Sequence, residues 1–442
     1  MNTLKATKKT LSKLNPPSGG VYSPQSIEKS RSLMKIAYLT QSYPPMISGA
    51  STVVQHLADE MIVRGHDILV LAASDTGKHY LTQEPHLKVV RLKSTSNPFR
   101  NNQHFNTWAY SDIFEELKTF SPDVIHLHDS ITVGLAGILA GKKLGVPLAL
   151  TTHQLPGFIS SYLPNFAGLM DGVEKAFWKY CRWLNRHTDQ FISPTTTSAG
   201  MVEQNAGFIP LVISNGVDLN HFRPQPMSPF ERQILCKEYG LDPARSIILH
   251  VGRLDFDKQV NLVIQAAVKA IHHSNAQLFV VGDGQQRKKL FQQAKSYGIL
   301  EHCCFTGFVQ PARDLPALYR LASVFVTASE IETQGLVLLE AMASRIPVVA
   351  VRATCIPEIV HDGVNGYLVP PKDVEAMAER IVDILCQPTL SHRMGEAGRR
   401  IAERHSHDHS VSLHEGLYQS LISKKSPKAQ RTPPFLSWLG TS

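Results

Sequence analysis

From residue 34 onward, short continuous apolar runs alternate with longer stretches in which apolar residues recur every three or four positions. The short runs read as strands buried on both faces, and the periodic stretches as helices that cover them. Such a pattern predicts repeated β-α units around parallel sheets. A first series of strands is expected at 35–39, 67–72, 89–92, 124–128, 147–151, 190–193 and 211–214. A second is expected at 246–251, 277–281, 303–306, 322–328, 347–351 and 366–369. Two doubly wound α/β units therefore follow one another, at residues 34–218 and 246–404. The intervening 219–245 holds Pro224, Pro226, Pro229 and Pro243 and a short helical patch, and reads as a linker, because prolines interrupt regular structure. Residues 405–425 are expected to form a last helix packing back on the first lobe.

The length of 442 residues agrees with two lobes, since one core rarely keeps growing to this size. The net charge of +8 points to an anionic partner only until it is divided along the chain. Residues 1–33 carry six Lys or Arg against one Glu, and residues 426–442 add Lys428 and Arg431. The body between them is left at +1, so the charge gives no argument for a nucleic-acid groove. Residues 1–33 are basic, serine-rich and without the apolar stretch of a secretory signal. A disordered arm, an organellar transit peptide and a start upstream of the true one, Met34, all fit, and 426–442 reads as a flexible tail. No apolar run approaches the roughly 20 residues of a spanning helix. Six cysteines, at 181, 236, 303, 304, 355 and 386, show neither C-x-x-C pairs nor zinc spacing and read as reduced thiols of a cytoplasmic protein. His405, His407 and His409 alternate near a helix start and are expected to be solvated rather than metal-binding.

Candidate chemistry sits where strands give way to loops. In I-E-T-Q-G-L-V-L-L-E-A-M-A, residues 331–343, an apolar strand is followed by a tight loop and a helix. The amides of Gly335, Leu336 and Val337 have no intrahelical acceptors there, and the helix dipole favours a phosphate. Glu332 faces the ligand from the loop, and Glu340, further into the helix, can accept from hydroxyls. The strand at 246–251 runs into G-R-L-D-F-D-K, placing Gly252, Arg253 and Lys258 at its carboxyl end, where guanidinium and ammonium suit a diphosphate. Asp255 and Asp257 imitate a metal-binding D-x-D, but beside Arg253 and Lys258 they are expected to make ion-pair or surface contacts. The turn V-V-G-D-G brings Gly282 and Gly284, and F-T-G-F-V brings backbone groups up to Val309 and an aromatic. In doubly wound sheets ligands bind beyond the carboxyl ends of the strands, which places the site in the cleft between lobes. The two glutamates do not suit a hydrolase pair: glycosidase carboxylates lie roughly 5 to 9.5 Å apart, while eight helical positions rise about 12 Å.

These motifs in this order, with N-G-V-D at 215–218, P-E-I-V at 357–360 and D-G-V-N-G-Y-L-V at 362–369, resemble glycosyltransferase family 4, from about residue 34 to 423. The resemblance implies a retaining, metal-independent enzyme of the GT-B fold. It implies an acceptor-side first lobe, a nucleotide-sugar-binding second lobe, and no cofactor beyond the donor substrate, a nucleotide diphosphate sugar, with a UDP-sugar favoured. Arg253 and Lys258 would bind the donor diphosphate, Glu332 the sugar hydroxyls, the amides of Gly335 to Val337 a phosphate, and Glu340 the ribose. Gly49, in the loop after the first strand, would approach the donor phosphate or acceptor. His153, in T-T-H-Q-L-P, matches a family histidine facing the reacting centre. His126 and His128 share one face of a strand. Two positions depart from the family pattern: Gln334 replaces a common phenylalanine, and Thr354-Cys355 stands where a glycine pair often precedes I-P-E.

The acceptor is expected to be a membrane lipid such as diacylglycerol. The helix 174–187 carries Lys175, Lys179, Arg182 and Arg186 in one stripe, edged by Phe177, Trp178, Tyr180 and Trp183, a pattern suited to an anionic bilayer surface. The segment 434–440, P-F-L-S-W-L-G, would add an interfacial contact. The donor loop and this helix resemble those of lipid glycosyltransferases, and a peripheral membrane location follows from that reading. A soluble sugar or polysaccharide acceptor, a nucleotide-sugar epimerase and an inactive scaffold are the alternatives.

Overall fold

The computed structural model describes residues 33–46, 48–97, 104–154, 156, 169–309 and 314–424. Nearly all of the expected basic arm and the whole of the expected tail lie outside them. The first lobe contains strands β1 (Lys35–Thr40), β2 (Asp67–Ala73), β3 (Tyr80–Glu84), β4 (Leu87–Leu92), the short pair β5 (Thr95–Ser96) and β6 (His104–Phe105), then β7 (Val124–Leu127), β8 (Leu148–Thr151), β9 (Gln190–Ser193) and β10 (Leu211–Val212). Eight of them form one sheet in the order β10-β9-β8-β7-β1-β2-β4-β3, parallel except for β3 against β4. The second lobe holds β11 (Ser246–Val251), β12 (Ala276–Val281), β13 (Cys303–Phe305), β14 (Val324–Thr327), β15 (Val348–Val351) and β16 (Gly366–Val369). These make an all-parallel sheet ordered β13-β12-β11-β14-β15-β16. The strand order reverses between β1 and β7 in one lobe and between β11 and β14 in the other, the switch points at which such sheets open a crevice. The fold is the two-lobed GT-B arrangement.

The central strands are buried from end to end, as sheets covered by helices on both faces require. β3 escapes the sequence pattern because it is an antiparallel edge strand with almost every side chain exposed. Residues 219–245 connect the two lobes. They contain the helix Pro229–Glu238, capped by Ser228, and Phe222, Cys236 and Leu241 are buried in the second lobe's core. Pro229 opens that helix at its first position, while Pro224 and Pro226 lie in the irregular stretch before it.

The chain crosses between lobes twice at one place. Val217 N donates to His405 O (2.8 Å), and His407 N donates to Val217 O (3.0 Å). Beyond this point the helix His407–Ser423 lies against the helix Gly49–Val63 and β7 of the first lobe. Arg64 pairs there with Asp408 and Glu415, each at 2.7 Å, and Tyr418 is fully buried. His126 bridges this packing, with Nδ1 2.6 Å from Tyr418 Oη and Nε2 2.7 Å from Thr151 Oγ1. Burial holds its imidazole neutral by lowering its pKa well below the usual value.

Removing the Tyr418 hydroxyl would strand His126 Nδ1 in the interior. Tyr418→Phe is expected to cost about 1–3 kcal/mol of stability, read as a lower urea midpoint at unchanged slope. An unchanged midpoint would show that the contact carries no net stability.

Candidate active site

The floor of the second lobe's crevice is stitched from three strand ends. Gly252 N donates to Val281 O (3.0 Å), Leu254 N to Asp283 O (2.9 Å), and Gly282 N to Gly307 O (3.0 Å). Gly282 has φ +139°, and a Cβ there would come within 1.9 Å of Gly252 O, so only glycine allows the loops to meet. Val309 packs against the lobe's core, while Phe308 beside it is exposed.

Each charged side chain on this floor already has a partner. Arg253 is gripped by the two acids of D-F-D, Nη1 by Asp255 and Nη2 by Asp257 at 2.8 Å. Lys258 Nζ lies 2.6 Å from Glu332 Oε1, with only 15% and 14% of the two side chains exposed. A half-buried ion pair of this kind strongly penalises loss of one partner, because the other charge is left desolvated.

Gly335 caps the helix Leu336–Ala343 in the left-handed region, φ +79°. No acceptor among the described residues takes the amides of Gly335, Leu336 and Val337, which leaves the N-terminus of the helix open to an anion. The two departures noted in the sequence have structural reasons. Gln334 is buried, accepting from Asn215 N (2.9 Å) and donating to Ser214 Oγ (2.5 Å). It therefore fastens the donor-type loop to the crossing between lobes, a link that phenylalanine could not make. Thr354 has a left-handed backbone, φ +42°, the region that glycine enters most easily. Its Oγ1 accepts from Glu332 N (3.2 Å) and donates to Glu330 O (3.3 Å), while Cys355 Sγ donates to Glu332 O (3.2 Å). The side chains at 354 and 355 thus hold Glu332 in place.

Glu340, one helical turn beyond Leu336, accepts from Tyr319 Oη at 2.8 Å. Burial pushes its carboxyl up to about 7, against which the tyrosine hydrogen bond works. Beside it is a cavity of about 10 Å³, room for one water, lined among others by Thr52, His56, Asp218 and His407. His407 stacks edge-on against His56 at 4.6 Å, and His405 Nδ1 lies 3.1 Å from Ser214 Oγ. The expectation that these two histidines are solvated is thereby corrected: they start the return helix inside the junction between lobes. No group of three possible metal ligands occurs among the described residues.

On the first lobe, Gly49 opens the helix Gly49–Val63 behind the capping box of Ser48 and Ser51, and the space at its Cα is open. His128 and His153 follow β7 and β8 at the same sheet end, with His128 Nδ1 and His153 Nε2 3.0 Å apart. His126, sharing their strand face, is turned into the Tyr418 contact and is wholly buried. Two participants were missed in the sequence. Tyr319 gives no motif signal. Glu358, the acid of P-E-I-V, spans the lobes and caps the helix Thr196–Ala206, accepting from Thr196 N (3.1 Å), Thr196 Oγ1 (2.8 Å) and Thr197 N.

The basic helix extends over Leu169–His187. Lys175, Lys179, Arg182 and Arg186 are exposed, as expected. Trp178 and Trp183 are a correction: Trp178 is 5% exposed in a cluster with Cys181, Val202 and Ala206, and Trp183 packs on the first lobe's core. Arg182 also donates to Ala206 O (2.8 Å), closing the end of a neighbouring helix. Among the described residues no helix is long and apolar enough to cross a membrane.

A carboxyl raised to about 7 binds its proton more tightly in the folded than in the unfolded chain. Its contribution to stability therefore falls as pH rises from the ordinary glutamate range through 7. Glu340→Gln is expected to raise the melting temperature at pH 8 and to leave it almost unchanged at pH 5. Equal shifts at both pH values would show that the carboxyl titrates normally.

Comparison with known proteins agrees with this architecture. The profile "Glycosyltransferase Family 4" matches residues 47–221, and "Glycosyl transferases group 1" matches residues 231–401. The alpha-monoglucosyldiacylglycerol synthase of Streptococcus pneumoniae is 25% identical over 76% of this chain and 75% of its own. A sulfoquinovosyl transferase of Arabidopsis thaliana is 27% identical over 86% of this chain and 72% of its own. Among solved structures, Anabaena HepE in complex with UDP and glucose superposes with a TM-score of 0.68 at 21% identity, over 88% of this chain and all of HepE. With the Family 4 model matched to the first lobe, the group 1 model matched to the second and the crevice motifs in their order, the chain is a glycosyltransferase.

Proposed function

We propose that the enzyme transfers a hexose from a UDP-sugar to a hydroxyl of a membrane lipid of the diacylglycerol type, with retention of anomeric configuration. The observation that carries the reading is the Lys258–Glu332 pair, its glutamate in the loop that leads to a helix whose first amides have no acceptor among the described residues, together with Arg253. Cation, carboxylate and free amides together match a sugar diphosphate: positive groups for the phosphates and an acceptor for the sugar hydroxyls. On donor binding, Lys258 would exchange Glu332 for phosphate oxygen, and Glu332 would turn to a sugar hydroxyl. Glu340 is assigned to the ribose, and Gly49, Gly252, Gly282 and Val309 to the walls around the nucleotide and phosphates.

The reaction is read as a same-face displacement. The acceptor hydroxyl oxygen forms a bond to the anomeric carbon as the bond from that carbon to the diphosphate breaks. The hydroxyl proton passes to a phosphate oxygen of the leaving group. Arg253, Lys258 and the amides of Gly335, Leu336 and Val337 stabilise the charge that builds on that group, which is where preorganised electrostatics has its largest effect. UDP as the carrier is supported by the complex of HepE, whose fold this chain shares.

A lipid acceptor is supported by the similarity to the monoglucosyldiacylglycerol synthase and by the exposed cationic stripe. The apolar part of a bilayer contact falls to residues other than the tryptophans: the chain leaving the helix that Arg182 caps exposes Ile209, Leu211 and Val212. An uncharged soluble acceptor would have no use for this stripe.

Arg253→Ala and Glu332→Ala are each expected to lower kcat/KM at least about 100-fold with the circular dichroism spectrum retained. Full activity in both would remove the site assignment, and altered free nucleotide sugar without an acceptor product would indicate an epimerase. Lys175→Glu with Lys179→Glu, both exposed positions, are expected to weaken binding to anionic vesicles by at least about tenfold. Unchanged vesicle binding, with activity on a water-soluble sugar, would favour the soluble acceptor.

A further inference from the structure

We propose that His128 is a positioning residue that fixes the tautomer of His153, so that His153 presents an Nδ1–H donor to the cleft and takes no proton during transfer. The inference deepens the transferase reading above and rests on it for the meaning of the cleft. The tautomer itself rests on the His128–His153 contact together with the burial of His128 Nε2.

His128 Nδ1 and His153 Nε2 lie 3.0 Å apart, their rings 5.3 Å apart and nearly parallel. A neutral imidazole has one N–H, so this contact has two possible arrangements. In the first, His153 Nε2–H donates to His128 Nδ1, and the proton of His128 must sit on its Nε2. That atom is buried and has no hydrogen-bond partner among the described residues, and the residue is only 6% exposed. A buried N–H without an acceptor is rare and costly in folded proteins. In the second arrangement His128 Nδ1–H donates to His153 Nε2, and the stranded atom is a lone pair, the lesser penalty. What surrounds His128 suits the second arrangement, since its close ring neighbours are Tyr38 and His126 at 5.7 and 4.0 Å between centroids. Both nitrogens of His126 are committed to Tyr418 and Thr151, so His126 offers no nitrogen to His128.

With Nε2 of His153 occupied as an acceptor, its one proton lies on Nδ1. No group among the described residues bonds that atom, and the residue is partly exposed at the carboxyl end of β8. Neutrality has its own cause: burial, with His414 nearby, lowers the His153 pKa to about 4, and burial lowers that of His128 well below its ordinary value. The titratable groups facing the pair are His126 on β7, Tyr38 on β1 and His414 on the return helix. None of these is a carboxylate that would favour a charged imidazole. His153 therefore offers a neutral N–H to a ligand oxygen, such as one on the bound sugar, and has no vacant lone pair with which to act as a base. The acceptor proton must go elsewhere, which agrees with its transfer to a phosphate oxygen.

Long-range proton–nitrogen correlation spectra of the full-length protein labelled with ring-15N histidine test the tautomer directly, with His153 assigned by its loss in His153→Gln. The expected spectrum has a protonated, pyrrole-type Nδ1 and a bare, pyridine-type Nε2 at pH 7.5. A proton on Nε2 would overturn the proposal. His128→Gln retains an amide donor and is expected to keep the tautomer and most of the activity. His128→Phe removes the donor and is expected to release the tautomer and lower kcat about tenfold at unchanged donor KM. Equal losses in both variants, with the His153 tautomer unmoved, would also overturn it. The spectra need no turnover, so a protein that transferred no sugar would refute the proposed function and leave the tautomer to be decided.

Discussion

A charge in a half-dry cleft must be matched, and this requirement shapes the site before any donor arrives. Lys258 leans on Glu332, Arg253 on Asp255 and Asp257, and Glu340 on the Tyr319 hydroxyl. Each pairing limits the desolvation penalty of a group that would otherwise face a low dielectric alone. Under the proposed assignment, a donor with two phosphates and several hydroxyls would offer the same kinds of partner, and its binding would be an exchange of hydrogen bonds between groups already in place. Little of the site has to be built at the moment of reaction, the condition under which fixed dipoles and charges act most strongly on a transition state.

Those pairings are tied to the junction between lobes. Gln334 joins the loop of Glu332 to Ser214 and Asn215, Ser214 is shared with His405 and Ser410, and Val217 bonds the backbone on both sides of Ser406. Glu358 adds a second tie by occupying the N-terminus of a first-lobe helix. The donor-side loop and the relative placement of the lobes thus share hydrogen bonds. A ligand that moves one must work against the other, and such coupling acts equally in both directions.

The fold was legible because period is a local property. Runs such as Asp67–Ala73 and Ala276–Val281 are apolar on both faces only because a covered parallel sheet demands it, and so they appear in the chain as they appear in space. β3 was illegible for the converse reason: an exposed edge strand needs no apolar face. The second-lobe motifs were legible because glycine turns and charges at strand ends lie close in sequence. Tyr319 was not, being brought to Glu340 by tertiary packing, and neither was the role of Gln334, whose partners are more than 100 residues away. Thr354 was flagged as a departure, yet only the backbone explains it. A left-handed β-branched residue costs roughly 1–2 kcal/mol, offset by two hydrogen bonds and the seating of Glu332.

The basic helix shows where a sequence pattern needs the helical wheel as well as composition. Lys175, Lys179, Arg182 and Arg186 fall within a narrow arc at 100° per residue, whereas Phe177, Tyr180, Cys181 and Leu184 fall on the far side and belong to the interior. Trp178 stands between the two and goes inward, donating its indole N–H to Glu174 at 3.1 Å. Under the proposed membrane contact, the helix would therefore offer a bilayer charge without aromatic anchors. Attraction of that kind is screened over about 10 Å at 0.1 M salt, so it selects anionic surfaces and holds them reversibly. Firmer seating on a bilayer would require buried apolar area, which under the same proposal the exposed Ile209, Leu211 and Val212 would supply.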